Sequence, residues 1–136
     1  MDIMEFKILN TAIERILNQE MSELEITYTQ ATVIGYLNKH RACEICQKDI
    51  EIGLGLTHPT VSSILNRLEE KKLIATEPLV SDRRYKRIVL TNKSSEMTRV
   101  IDEKIVKISN QVFAGFEETE KEELSSMVRK IINNLK

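Results

Sequence analysis

The stretch Ile50-Glu51-Ile52-Gly53-Leu54-Gly55-Leu56-Thr57-His58-Pro59-Thr60-Val61-Ser62 closes one helix and opens another. Gly55 supplies the backbone freedom a tight helix-to-helix turn needs. Thr57 is of the type that caps a helix start, and Pro59 suits a first turn, where a backbone N–H has no partner to lose. Beyond the turn, Val61, Ile64, Leu65, Leu68 and Leu73 recur at helical intervals and form an apolar stripe that must face a core. His58, Thr60, Ser62, Ser63, Asn66 and Arg67 fall on the other side. They are short polar groups and one fork-shaped donor, the kind that hydrogen-bonds base edges and phosphates. An ordinary amphipathic surface helix carries the same pattern.

The segment that follows weighs against that plain reading. Leu73 to Glu77 and Tyr85 to Leu90 read as two strands, separated by Pro78, Ser81 and Asp82. The connection carries Asp82, Arg83 and Arg84, with Lys86 and Arg87 just beyond. A hairpin ending in arginines beside such a helix can place a guanidinium in the minor groove, where negative potential is focused. A solvated, salt-bridged hairpin is the alternative.

Thr57-His58-Pro59-Thr60-Val61-Ser62, Leu65-Asn66-Arg67-Leu68-Glu69, Leu73-Ile74, Asp82-Arg83-Arg84 and Leu90-Thr91 follow one another, in order and without gaps, in a way that resembles the multiple-antibiotic-resistance regulator (MarR) family of winged-helix transcription factors. Thr29 to Ile34 and Phe113 to Leu135 extend the likeness outward, and Met1 to Ser22 matches in pattern only. The resemblance implies a mostly α fold with a small β-hairpin wing in one domain over 1–136. A winged helix-turn-helix over 28–93 would be flanked by dimerisation helices at 1–22 and 95–136. Two departures stand out. The family usually has a small residue where this chain has Glu51, whose carboxylate must reach solvent or a partner such as nearby Lys48. The usual glycine after the recognition helix is missing from Lys71-Lys72-Leu73.

The implied function is a sequence-specific, double-stranded DNA-binding regulator, a ligand-responsive repressor that reads a pseudo-palindrome as a homodimer. Ser62, Ser63, Asn66 and Arg67, with His58, Pro59 and Thr60 at the helix start, are the candidates for major-groove and phosphate contacts. Arg84 is the candidate for the minor groove, and by resemblance Asp82 would hold its guanidinium. Arg83 serves a structural salt bridge or DNA equally well, and Lys86 and Arg87 touch phosphates or nothing.

Composition fits this reading. The chain has 136 residues with 41% hydrophobic content, enough for one core and an oligomerisation arm. The net charge of -1 is unevenly spread: from Thr57 to Lys93 eight basic residues face four acidic ones, a local +4 against -5 elsewhere. A positive face on a weakly acidic body neutralises phosphates without general stickiness. The 4% aromatic content with no Trp argues against stacking platforms for single strands. Neither a signal peptide nor a transmembrane run is evident, so no membrane partner and a cytoplasmic location are expected. Apolar residues at helical spacing mark both ends: Ile3, Phe6, Leu9, Ile13, Ile16 and Leu17 at the start, and Leu124, Met127, Val128, Ile131, Ile132 and Leu135 at the close. Met97, Val100, Ile101, Ile105, Ile108 and Val112 define a long helix after the wing, and Thr119 with Glu122 has capping-box spacing for the last one.

The signal sensed is open at this level. By resemblance it would be a small aromatic or phenolic effector, or an oxidant or metal. His40, Cys43 and Cys46 lie close together, with Cys43 and Cys46 at the spacing of a metal or dithiol pair. Cys46 stands at the expected N-cap of a helix beginning near Gln47, where helix-end amides favour a thiolate. Reduced, buried structural cysteines are the plainer account. No cofactor is expected, and no phosphate loop, nucleophile elbow or metalloprotease motif points to an enzyme. A winged helix serving only protein contacts is the remaining rival.

Overall fold

The structure, a computed structural model, describes residues 1–136. Six helices and one hairpin follow in the order α1 (Ile3–Ser22), α2 (Tyr28–Lys39), α3 (Gln47–Leu54), α4 (His58–Glu70), β1 (Ile74–Pro78), β2 (Lys86–Leu90), α5 (Asn92–Val112) and α6 (Glu118–Asn134). The fold is the mostly helical winged helix expected from sequence. It divides into two compact units, Met1–Ile105 and Val106–Lys136.

In the first unit, local chemistry sets each boundary. Asp2 caps α1 by accepting the Met4 N–H at 3.0 Å. Thr27 and Gln30 form a reciprocal capping box on α2, at 3.1 and 3.2 Å. α3 ends at Gly55 with φ of 64°, the left-handed conformation open to glycine at little cost. Gly53 is needed for another reason: a Cβ there would stand 2.4 Å from the Tyr36 ring. Thr57 then caps α4, accepting the Thr60 N–H at 3.4 Å.

The end of α4 shows how the missing glycine is replaced. Lys72 itself takes the left-handed conformation, with φ of 61°. Its N–H donates to the Glu69 carbonyl and that of Leu73 to the Leu68 carbonyl, both at 2.9 Å, which is the Schellman arrangement. Leu68 and Leu73 are both buried, supplying the apolar contact that accompanies it. Leu73 is therefore spent on ending the helix, and β1 begins one residue later than the sequence pattern predicted. At the other side of the hairpin the Tyr85 N–H closes the turn onto the Asp82 carbonyl at 3.1 Å, so β2 begins at Lys86. The strands pair antiparallel from Ile74↔Leu90 to Pro78↔Lys86. Pro78, expected in the connection, is the last residue of β1, an edge position that tolerates a missing N–H.

The core of this unit gathers Val33 and Ile34 of α2, Ile50 of α3, Val61 and Leu68 of α4, and Ile88 of β2. Each such side chain, fully buried, contributes roughly 1.5–3 kcal/mol. Lys104 of α5 ties α1 to this body through Glu20, at 3.3 Å, and Glu23. The hydrogen bond to Glu23 holds its ammonium above the ordinary lysine range. In the second unit, Phe113 and Phe116 meet edge to face at 5.9 Å. The capping box before α6 lies not at the expected Thr119 but at Glu117, whose N–H donates to the Glu120 carboxylate at 3.0 Å. No residue of α6 is buried.

Candidate nucleic-acid interface

Burial of Val61, Ile64, Leu65 and Leu68 turns the opposite side of α4 outward. His58, Pro59, Thr60, Ser63, Asn66 and Arg67 are exposed there, as the spacing predicted. Ser62 differs, being half-buried at the crossing with α3, where its Oγ accepts from Gln47 Nε2 at 2.8 Å.

That crossing resolves the Glu51 question. Its side chain is only 15% exposed, and its partner is not Lys48 but His58, whose Nδ1 lies 2.7 Å from Oε2. A partly buried carboxylate thereby gains the hydrogen bond it needs. Gln47 joins the same cluster, with Nε2 3.1 Å from His58 Nδ1 and 3.5 Å from the His58 carbonyl. Sequence reading missed Gln47, because it lies 11 residues before His58 and meets it only through the packing of α3 on α4.

The wing places its charges differently from one another. Asp82 receives Arg84 at two points of the guanidinium, Nε to Oδ1 at 3.0 Å and Nη2 to Oδ2 at 2.7 Å, and also the Arg84 N–H at 3.1 Å. These bonds hold the Asp82 carboxyl below the usual carboxylate range and raise the guanidinium further. Arg84 also sits over the Tyr85 ring at 5.9 Å. The fork is thus fixed in plane yet 82% exposed. Arg83 and Lys86 are exposed, and of the two uses open to Arg83 the wing's ion pairs do not include the salt bridge. Arg87, expected at phosphates or idle, instead pairs across the strands with Glu77.

The segment between α2 and α3 holds two backbone N–H groups of the hairpin. The Ile45 carbonyl accepts the Ile88 N–H at 2.7 Å, and Glu44 Oε2 accepts the Val80 N–H at 2.7 Å. Cys46 stands at the N-cap of α3 as expected, with its N–H donating to Asp49 Oδ2 at 2.9 Å and its thiol 3.2 Å from the same oxygen. Cys43 is exposed, both thiols are free, and no three donors among His, Cys, Asp and Glu gather as a metal site would require. His40 packs on Tyr36, ring centroids 4.3 Å apart. The adjoining cavity of about 130 Å³, lined by Leu37, His40, Cys43 and Arg87, is smaller than the roughly 300–1,000 Å³ of drug-sized sites.

Known proteins match this arrangement. A family model described as MarR family matches residues 24–84. The S. aureus MepR–DNA complex superimposes with a TM-score of 0.92 at 26% identity, covering 98% of both chains. The transcription regulator MarR from Oenococcus oeni PSU-1 gives 0.78 at 25% identity, over 94% of this chain and 96% of the other. A mutant MarR from E. coli, complexed with operator DNA, shares the fold at a TM-score of 0.82 and 20% identity, over 93% of this chain and 89% of the other. Fold, wing and sequence agree with the MarR family of winged-helix proteins, whose model matches the chain over residues 24–84.

Proposed function

We propose that the protein is a sequence-specific, double-stranded DNA-binding transcriptional regulator. It acts in the cytoplasm as a homodimeric repressor that leaves a pseudo-palindromic operator when it binds a small aromatic or phenolic effector. One observation carries the reading: the exposed polar face of α4 is followed by a wing on which Asp82 fixes Arg84 in the open. His58, Pro59, Thr60, Ser62, Ser63, Asn66 and Arg67 then meet the major groove and its phosphates, and Arg84 enters the minor groove with Arg83 and Lys86 beside it. The S. aureus relative of the same fold was solved with DNA, which supports this use of the face.

The apolar termini support the homodimer. Leu124, Met127, Val128, Ile131, Ile132 and Leu135 are between 37% and 82% exposed, and Ile3, Met4, Phe6 and Leu9 of α1 are exposed as well. Exposed apolar surface on this scale marks an interface, and a second copy covers it. Two-fold symmetry then sets recognition helices about 34–36 Å apart. No helix is long and apolar enough to cross a membrane.

The test is titration into a selected operator and into random duplex at low and moderate salt. Tight, salt-steep binding with operator preference is expected. Weak binding with no salt dependence to either duplex makes the chain a protein-interaction module instead.

A further inference from the structure

We propose that Glu51 fixes the tautomer of His58 and so makes His58 a reader of an exocyclic amino group, adenine N6 or cytosine N4, in the major groove. The inference rests on the DNA-reading function above and adds to it the hydrogen-bond sense of one contact.

The assignment follows from counting donors around one nitrogen. Glu51 Oε2 lies 2.7 Å from His58 Nδ1. An ionised carboxylate only accepts, so Nδ1 carries the proton. Gln47 Nε2 is also near Nδ1, at 3.1 Å, but its two hydrogens have other acceptors, Ser62 Oγ at 2.8 Å and the His58 carbonyl at 3.5 Å. In the neutral ring Nε2 is then left with a lone pair. The His58 side chain is 71% exposed and belongs to the first residue of α4, the end from which recognition helices reach base edges.

An acceptor in that place selects among bases. In the major groove adenine and cytosine offer amino donors, whereas guanine and thymine offer only acceptors. Phosphate oxygens are acceptors too, so the neutral ring gains nothing from the backbone through Nε2. Glu51 therefore acts as a positioning residue, and His58 makes the contact.

Two measurements on the full-length protein, both at about pH 8, test this. The first is ¹⁵N NMR of the ring nitrogens without DNA, expected to show Nδ1 protonated and Nε2 bare. A proton on Nε2 overturns the proposal whatever the duplex data say. In the second, every position of a selected half-site is replaced by each base pair in turn, for wild type, His58→Ala and Glu51→Gln. One position is expected to favour adenine or cytosine by about 5- to 150-fold in wild type, the range for a good base contact. His58→Ala should flatten that preference, and Glu51→Gln should move it towards guanine or thymine. The Gln amide can donate to Nδ1 and leave the proton on Nε2, a reversal that mere loss of packing does not produce. Retained duplex binding with every preference unchanged in His58→Ala ends the readout role and spares the function. A preference lost in His58→Ala but kept in Glu51→Gln ends the role of Glu51. Should Glu51→Gln not fold, the wild-type NMR spectrum and the His58→Ala profile decide. Absence of salt-steep duplex binding by wild type removes the function and this contact together.

Discussion

α4 and α6 are both amphipathic, and their sequences announce it in the same way. Their apolar sides meet opposite fates. α4 buries Val61 and Leu68 completely inside its own chain, so only its polar side is free for an outside partner. α6 has no buried residue, and the apolar residues of its stripe are exposed. Periodicity reveals that a helix has two faces, and packing reveals which face is already occupied. Under the proposed function the partner of α4 is polar and charged, and that of α6 is apolar.

The comparison breaks most visibly through its core. Leu68→Ala should cost about 2–5 kcal/mol in denaturant unfolding, the range for a large-to-small change at a buried site. Ile131→Asp should leave the winged unit folded but shift the protein from dimer to monomer in sedimentation, because it places an unpaired charge in an apolar contact. If sedimentation is unchanged, the apolar face of α6 has no partner and the contrast with α4 collapses. Arg84→Ala should weaken operator binding about 5- to 150-fold, with the dimer intact. That contribution has a predictable pH window. Asp82 titrates below its unfolded value, so its hold on Arg84 is complete above the ordinary carboxylate range and is lost as pH falls through the lowered one. Lys72→Gly is the smallest change and the only stabilising one, with a gain of about 1 kcal/mol in unfolding free energy from relieving a left-handed lysine.

Much of this molecule was legible in its sequence where the physics is local. The stripe of α4, the turn at Gly55 and the caps at Thr57 and Cys46 all rest on residues within one or two turns of each other, whereas the Asp82–Arg84 pair was expected from the family resemblance. The misreadings share a cause as well. Lys48 is the charged neighbour of Glu51 along the chain, but helix crossing brings His58 instead. Leu73 has the β-strand pattern of its neighbours, but its N–H is taken by the end of α4. Arg87 looked free until the register set it opposite Glu77. Gln47 gave no signal at all, since an amide near a helix start is ordinary until another helix packs against it.

The ties from the Glu44 carboxylate and the Ile45 carbonyl to the wing bear on entropy. An isolated two-stranded hairpin is marginal in water and samples many orientations. Here β1 is held by its partner strand, β2 also gives its Ile88 N–H to Ile45, and Val80 near the turn is anchored by Glu44. Each anchored residue has already surrendered backbone freedom worth roughly 1–2 kcal/mol. The cost of ordering the wing therefore falls in folding, and an encounter that engages Arg84 meets a lever already set in place.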